Sequence, residues 1–95
     1  MAVAVVMEFE GGTPDQYDQV IEKMGLTAGG PGPPGALFHW VTLSEDGTLR
    51  VTDVWESREQ FEAFAQEQIG PYSAEVGLPN PEMTFYDVHN YFRPG

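Results

Sequence analysis

The strongest constraint on this chain is that its strand segments are apolar on both faces, while only two helical segments are on hand to cover them. Residues 2–9, 36–43, 49–56 and 83–92 read as strands, rich in β-branched and aromatic side chains and bounded by glycine, proline or charge. An antiparallel sheet with one wet face alternates apolar and polar residues. Here both parities are apolar: Val3, Val5, Met7 and Phe9 against Ala4 and Val6, Leu37, Val41 and Leu43 against Phe38 and Trp40, and Phe85 and Tyr91 against Tyr86, Val88 and Phe92. Two helices on one side leave the other side bare. A second copy of the sheet is the simplest cover, so a homodimer is expected.

The helices announce themselves by their caps. Thr13-Pro14-Asp15-Gln16 combines an N-cap threonine, proline at the first helical position and a glutamine that closes a capping box. Tyr17, Val20, Ile21 and Met24 follow at helical spacing, and Gly25 supplies a left-handed stop. Ser57-Arg58-Glu59-Gln60 reads as a second capping box, with Phe61, Phe64, Ala65 and Ile69 as the stripe behind it and Gly70-Pro71 as its end. Residues 72–82 then read as a loop.

Between the middle strands, Ser44-Glu45-Asp46-Gly47-Thr48 is a hairpin signal. A two-residue Asp-Gly turn sets Trp40 opposite Asp53 and puts the apolar sets out of phase. A three-residue loop with Gly47 left-handed sets Leu43 opposite Leu49, Val41 opposite Val51, His39 opposite Asp53 and Leu37 opposite Trp55. The second register is preferred, because it aligns the large apolar residues. The order βαββαβ over a single domain, residues 1–95, predicts an α+β ferredoxin-like fold: a four-stranded antiparallel sheet with two helices on one face.

Composition removes several functions. A formal net charge of −11, with only four Lys and Arg, argues against nucleic acid and against an anionic membrane surface. Without cysteine there is no thiolate metal site, disulfide or cysteine nucleophile. The apolar start is too short for a signal peptide, and no run approaches a spanning helix, so a cytoplasmic protein is expected. The segment 26–35 (LTAGGPGPPG) shares only its glycine content with a phosphate-binding loop, since no Lys-Ser/Thr follows and each proline removes an N–H. It reads as a surface connector, with a lid over a pocket as the other reading.

The run Val51-Thr52-Asp53-Val54-Trp55-Glu56-Ser57-Arg58-Glu59-Gln60-Phe61, with Leu37-Phe38-His39-Trp40 and the closing Tyr86-Asp87-Val88-His89-Asn90, resembles the dimeric α/β-barrel superfamily. The resemblance covers nearly the whole chain and is nearest to small proteins of the antibiotic biosynthesis monooxygenase type. It implies the ferredoxin-like fold and the homodimer. It leaves the chemistry open among cofactor-free oxygenases, haem-degrading enzymes, lactone isomerases, polyketide cyclases and members with no known reaction. Haem-handling members carry an iron-ligating histidine on a helix, and neither helical segment here contains one. Cofactor-free oxygenases of quinols and anthrones resemble this chain at Trp55, but some carry an Asn where it has Val51.

His39 and Asp53 are the sharpest pair, because the preferred register puts an imidazole beside a carboxylate in an apolar row. As acid and base, His39 would take a phenolic or enolic proton from an apolar substrate, with Asp53 orienting the ring. The other reading is a structural polar pair. Trp55, Tyr17 and Phe64, with Val51 and Leu37, would line an apolar cleft between sheet and helices that suits an aromatic or polyketide-like molecule. Asp87 and His89 share a strand face by the two-residue period, at the sheet edge far from His39, so one chain cannot bring both histidines to one metal. No cofactor and no metal are expected. Three functions follow: a cofactor-independent monooxygenase, an isomerase or cyclase using the same pair, or a non-catalytic binding or assembly module.

Overall fold

The computed structural model describes residues 2–27 and 29–92. Strand β1 (Val3–Phe9) leads to α1 (Pro14–Met24), a hairpin of β2 (Ala36–Leu43) and β3 (Leu49–Trp55), a helical stretch, and β4 (Glu82–Asp87). The four strands form one antiparallel sheet in the order β2-β3-β1-β4. The fold is α+β and ferredoxin-like, with β1 and β3 at the centre.

Local chemistry sets the ends of α1. Thr13 accepts the Gln16 N–H while the Gln16 side chain accepts the Thr13 N–H, a reciprocal capping box, and Gly25 at φ +75° ends the helix. The hairpin loop has the preferred three-residue form, closed by Ser44 N–H to the Thr48 carbonyl at 3.0 Å, with Gly47 at φ +88°. Ser44 and the Thr48 N–H also donate to Asp46, and these bonds, the Ser44 hydroxyl first, hold its carboxyl down at about 2.

The second helical stretch departs from the sequence expectation. It does not stop at Gly70-Pro71. It runs as α2 (Arg58–Phe64), a π-helical turn (Ala65–Ile69) and α3 (Gly70–Val76), ending at a left-handed Gly77. Pro71 brings no N–H, and inside a regular helix its ring would strike the carbonyl four residues back. The π turn relieves this: the Gly70 N–H bonds the Ala65 carbonyl, five residues back, widening the backbone ahead of the proline. The extra residue also shifts the inward stripe. Phe61, Phe64 and Ala65 hand over to Ile69, Tyr72 and Val76, all packed on the core.

Three smaller expectations are also corrected. Leu37 does not face Trp55: a β-bulge lies between Ala36 and Phe38, so Ala36 takes that partner and Leu37 is the extra residue. The cap at Ser57 is half a capping box, since its hydroxyl accepts the Gln60 N–H but the Gln60 side chain bonds that hydroxyl instead of the backbone. The last strand ends at Asp87, so His89 is not on it and the shared strand face of Asp87 and His89 is lost. The chain leaves the ladder after Val88, whose N–H reaches the Ala2 carbonyl, and Tyr91 turns its ring edge-on to Phe38.

The core fills the space between sheet and helices. Val3, Val5, Met7 and Phe9 of β1 and Leu49, Val51 and Trp55 of β3 meet Val20 of α1 and Phe61 of α2. On the opposite sheet face, Trp40 is 49% exposed and Tyr86 56%, although Val54 in the sheet centre is buried. Because α1 hangs from the Thr13 cap, Thr13→Ala is expected to lower stability by about 1 kcal/mol in urea unfolding. An unchanged midpoint would show that the cap contributes nothing.

Candidate functional site

The hairpin register builds the site. His39 of β2 lies opposite Asp53 of β3, on the face turned toward the helices. The imidazole Nδ1 is 2.5 Å from Asp53 Oδ1. Asp53's other oxygen, Oδ2, accepts the indole N–H of Trp55 at 3.1 Å, two residues along on the same face. Asp53 is buried, and both its oxygens have donors, which offsets the cost of removing a carboxylate from water.

A carboxylate can only accept, so Nδ1 carries the proton of this bond and Nε2 of the neutral ring is left as an acceptor. The Tyr17 hydroxyl of α1 donates to this Nε2, with the two rings nearly parallel at 9° and their centroids 5.8 Å apart. Burial first, then the charges of Asp53 and Asp18, pushes the Tyr17 phenol up to about 12. The phenol therefore keeps its proton across the ordinary pH range. The result is a hydrogen-bonded line, Tyr17 to His39 to Asp53, with Trp55 closing its buried end.

This line borders a cavity of about 370 Å³ between the sheet and α1, within the size range of small-molecule sites. Tyr17, Leu37, His39, Val51, Asp53, Trp55 and Phe64 all line it, so the acid–base pair and every residue expected to wall the cleft reach one space. The wall is mostly apolar, with Met7, Phe9, Ile21 and Met24 among it. His39 is the accessible member of the pair, its side chain 40% exposed against 7% for Asp53.

Several contributors were not foreseen. Tyr17 was expected as apolar wall, and its hydroxyl contact depends on the angle at which α1 crosses β2. The segment 26–35, for which a surface connector was preferred to a lid over a pocket, lines the cavity through Leu26, Thr27, Gly29, Pro31 and Pro33. Ser73 lines it as well, from the part of the helix that had been read as loop. The signal for it was present: Ile69, Tyr72 and Val76 continue the helical spacing past Gly70-Pro71. His89 and Asp87 are exposed and lie outside the cavity. Among the described residues no group of three or more His, Asp or Glu side chains is placed to hold a metal ion, and no helix is long and apolar enough to cross a membrane.

No family model and no curated protein matches the sequence. Solved structures do. A putative antibiotic biosynthesis monooxygenase from Chloroflexus aurantiacus superposes with a TM-score of 0.67 at 19% identity, covering 100% of each chain. The chain has the fold of the antibiotic biosynthesis monooxygenase-like proteins. Within that fold, SnoaB, a cofactor-independent oxygenase from Streptomyces nogalater, superposes at 0.61 with 18% identity, over 98% of this chain and 97% of its own. The ActVA-Orf6 monooxygenase of Streptomyces coelicolor, solved in complex with nanaomycin D, gives 0.53 at 25% identity, over 99% and 92%.

The raised Tyr17 phenol carries a pH consequence with a definite sign. Its folded-state value of about 12 lies above the ordinary 10 of an unfolded tyrosine. Between these values the unfolded chain has released a proton that the folded chain retains, so stability falls as pH rises through that window. Urea unfolding between about pH 10 and 12 should show this decline, and Tyr17→Phe should flatten it. An identical slope in both proteins would place the decline elsewhere.

Proposed function

We propose that this chain is a cytoplasmic homodimer that binds a flat, apolar aromatic or polyketide-like molecule in the cavity and acts on it as a cofactor-independent monooxygenase. The observation that carries the proposal is the Tyr17–His39–Asp53 line set into the wall of an apolar cavity. Such a line can remove a proton from a buried phenol, enol or activated methylene without a metal or organic cofactor. The same fold in SnoaB, a cofactor-independent oxygenase, supports the oxygenase branch.

His39 is the base in this scheme. The Tyr17 hydroxyl occupies Nε2, so the substrate proton passes to the Tyr17 oxygen as the Tyr17 proton moves to Nε2, or reaches Nε2 directly once Tyr17 swings aside. Asp53 then faces a forming imidazolium and stabilises it at 2.5 Å, while the Trp55 indole keeps the carboxylate fixed. Leu37, Val51, Phe64 and the Trp55 ring hold the aromatic body and exclude water, which strengthens these charge interactions. For an anthrone, the carbanion formed reduces dioxygen. One oxygen atom becomes the new carbonyl and the other leaves as water with the two hydrogens of the methylene.

Two variants test the assignment. Against a panel of anthrones and quinols under oxygen, His39→Ala and Asp53→Asn should each lower kcat/KM by roughly 10²–10⁴-fold while remaining folded. No turnover by the native protein, or undiminished turnover in folded His39→Ala, would overturn the mechanism. A second reading, a non-catalytic binding module, is favoured by one observation: Tyr17 and Trp55 already satisfy the polar groups of the pair, as a purely structural cluster would require. The native protein's turnover decides between the two.

The dimer rests on the sheet's second face, where Trp40, Tyr86 and Tyr91 are exposed beside Phe38 and Val54. Sedimentation equilibrium at micromolar concentration should report twice the 10.5 kDa chain mass, and Trp40→Glu should return the single-chain mass with the helical circular dichroism unchanged. A native protein at 10.5 kDa would contradict the dimer.

A further inference from the structure

Ser73 is a buried polar side chain of the cavity wall with no evident structural task. It is 7% exposed, and among the described residues its Oγ is the buried side-chain oxygen without a hydrogen-bond partner. A helical serine commonly turns its hydroxyl back onto the carbonyl four residues earlier. Ser73 does not bond Ile69 in this way, although it sits one turn after the π-helical segment. Buried polar groups are nearly always paired, and one left unpaired asks for a partner that is not part of the chain. Alanine would fill the same place without that penalty. Ser73 belongs to α3, whereas the Tyr17–His39–Asp53 line belongs to α1, β2 and β3, so the cavity's buried polar side chains, Asp53 and Ser73, lie at two separate places in the wall, with the exposed Asp18 and Thr27 also on its lining.

We infer that Ser73 is a specificity-determining residue that hydrogen-bonds a second oxygen of the ligand. The ligand class is then a fused-ring aromatic with two oxygen functions set apart on its skeleton. One meets Tyr17 and His39, and the other meets Ser73. A hydroxyl both donates and accepts, so the second function can be a carbonyl or a hydroxyl. The inference rests on the proposal that the cavity takes an aromatic molecule, and it adds a requirement which that proposal lacks: a ring system with a single oxygen binds less well.

Calorimetric titration under argon, with 2-naphthol and with 1,5-, 2,6- and 2,7-dihydroxynaphthalene as probes, tests this in the native protein and in Ser73→Ala. In the native protein at least one diol should bind about 3- to 10-fold more tightly than 2-naphthol, the gain of one hydrogen bond to a neutral partner. Ser73→Ala should erase that preference and leave 2-naphthol affinity unchanged. Its thermal midpoint should be equal to or above the native one, because an unpaired hydroxyl is removed. Equal binding of all probes by the native protein, or a diol preference that survives in Ser73→Ala, overturns the inference while the aromatic cavity stands. A lowered midpoint in Ser73→Ala overturns it too, by giving Ser73 a structural role. Failure of every probe to bind overturns both the aromatic cavity and the role of Ser73.

Discussion

The Asp53 carboxylate is the point on which the site depends. It lies on a central strand, in a row that is otherwise Leu49, Val51 and Trp55, where an unpaired charge would be strongly destabilising. Its two oxygens are held by donors of different kinds. The Trp55 indole is fixed by packing against Phe61 and Phe64 and gives a bond that does not titrate. The His39 imidazole is an acid–base group, and it alone of the two is exposed. One oxygen is thus anchored and the other is left to respond to chemistry.

The two faces of the sheet divide the work. The inward face carries the buried row of β1 and β3, the helices and the cavity. The outward face carries Trp40, Tyr86 and Tyr91, with Val54 already buried among its neighbours. The proposed dimer seals this second face without consuming the cavity, which lies between the sheet and the helices. The high negative charge fits the same arrangement. Asp15, Asp18 and Glu22 on α1 and Glu59, Glu62 and Glu67 along the second helical stretch are all exposed, where they oppose unwanted association of a two-faced sheet.

Much of this was legible because it rests on local rules. The caps at Thr13 and Ser57 and the stop at Gly25 are short-range hydrogen-bond patterns that tertiary packing did not override. The His39–Asp53 register followed from phase, since slipping the hairpin by one residue would set Trp40 opposite Asp53 and take Val41 and Leu43 off Val51 and Leu49. What the sequence concealed depends on geometry between elements. The bulge at Leu37 breaks the two-residue period and shifts the expected partner of Trp55. The π turn hides a continuing helix behind Gly70-Pro71, a pair that ordinarily ends one, and with it went Ser73. The Tyr17 hydroxyl was invisible for a third reason: a tyrosine on an apolar stripe reads as core, and only the placement of α1 over β2 brings its oxygen to Nε2.

The tautomer of His39 tests this account most directly. Long-range proton–nitrogen correlation spectroscopy, recorded where imidazole is neutral, should place the ring proton on Nδ1 and show Nε2 as the unprotonated acceptor. Tyr17→Phe should move the Nε2 resonance and Asp53→Asn should disturb Nδ1. A native ring protonated on Nε2, or averaging freely between its two tautomers, would contradict the hydrogen-bonded line from Tyr17 to Asp53 and the acid–base chemistry built on it.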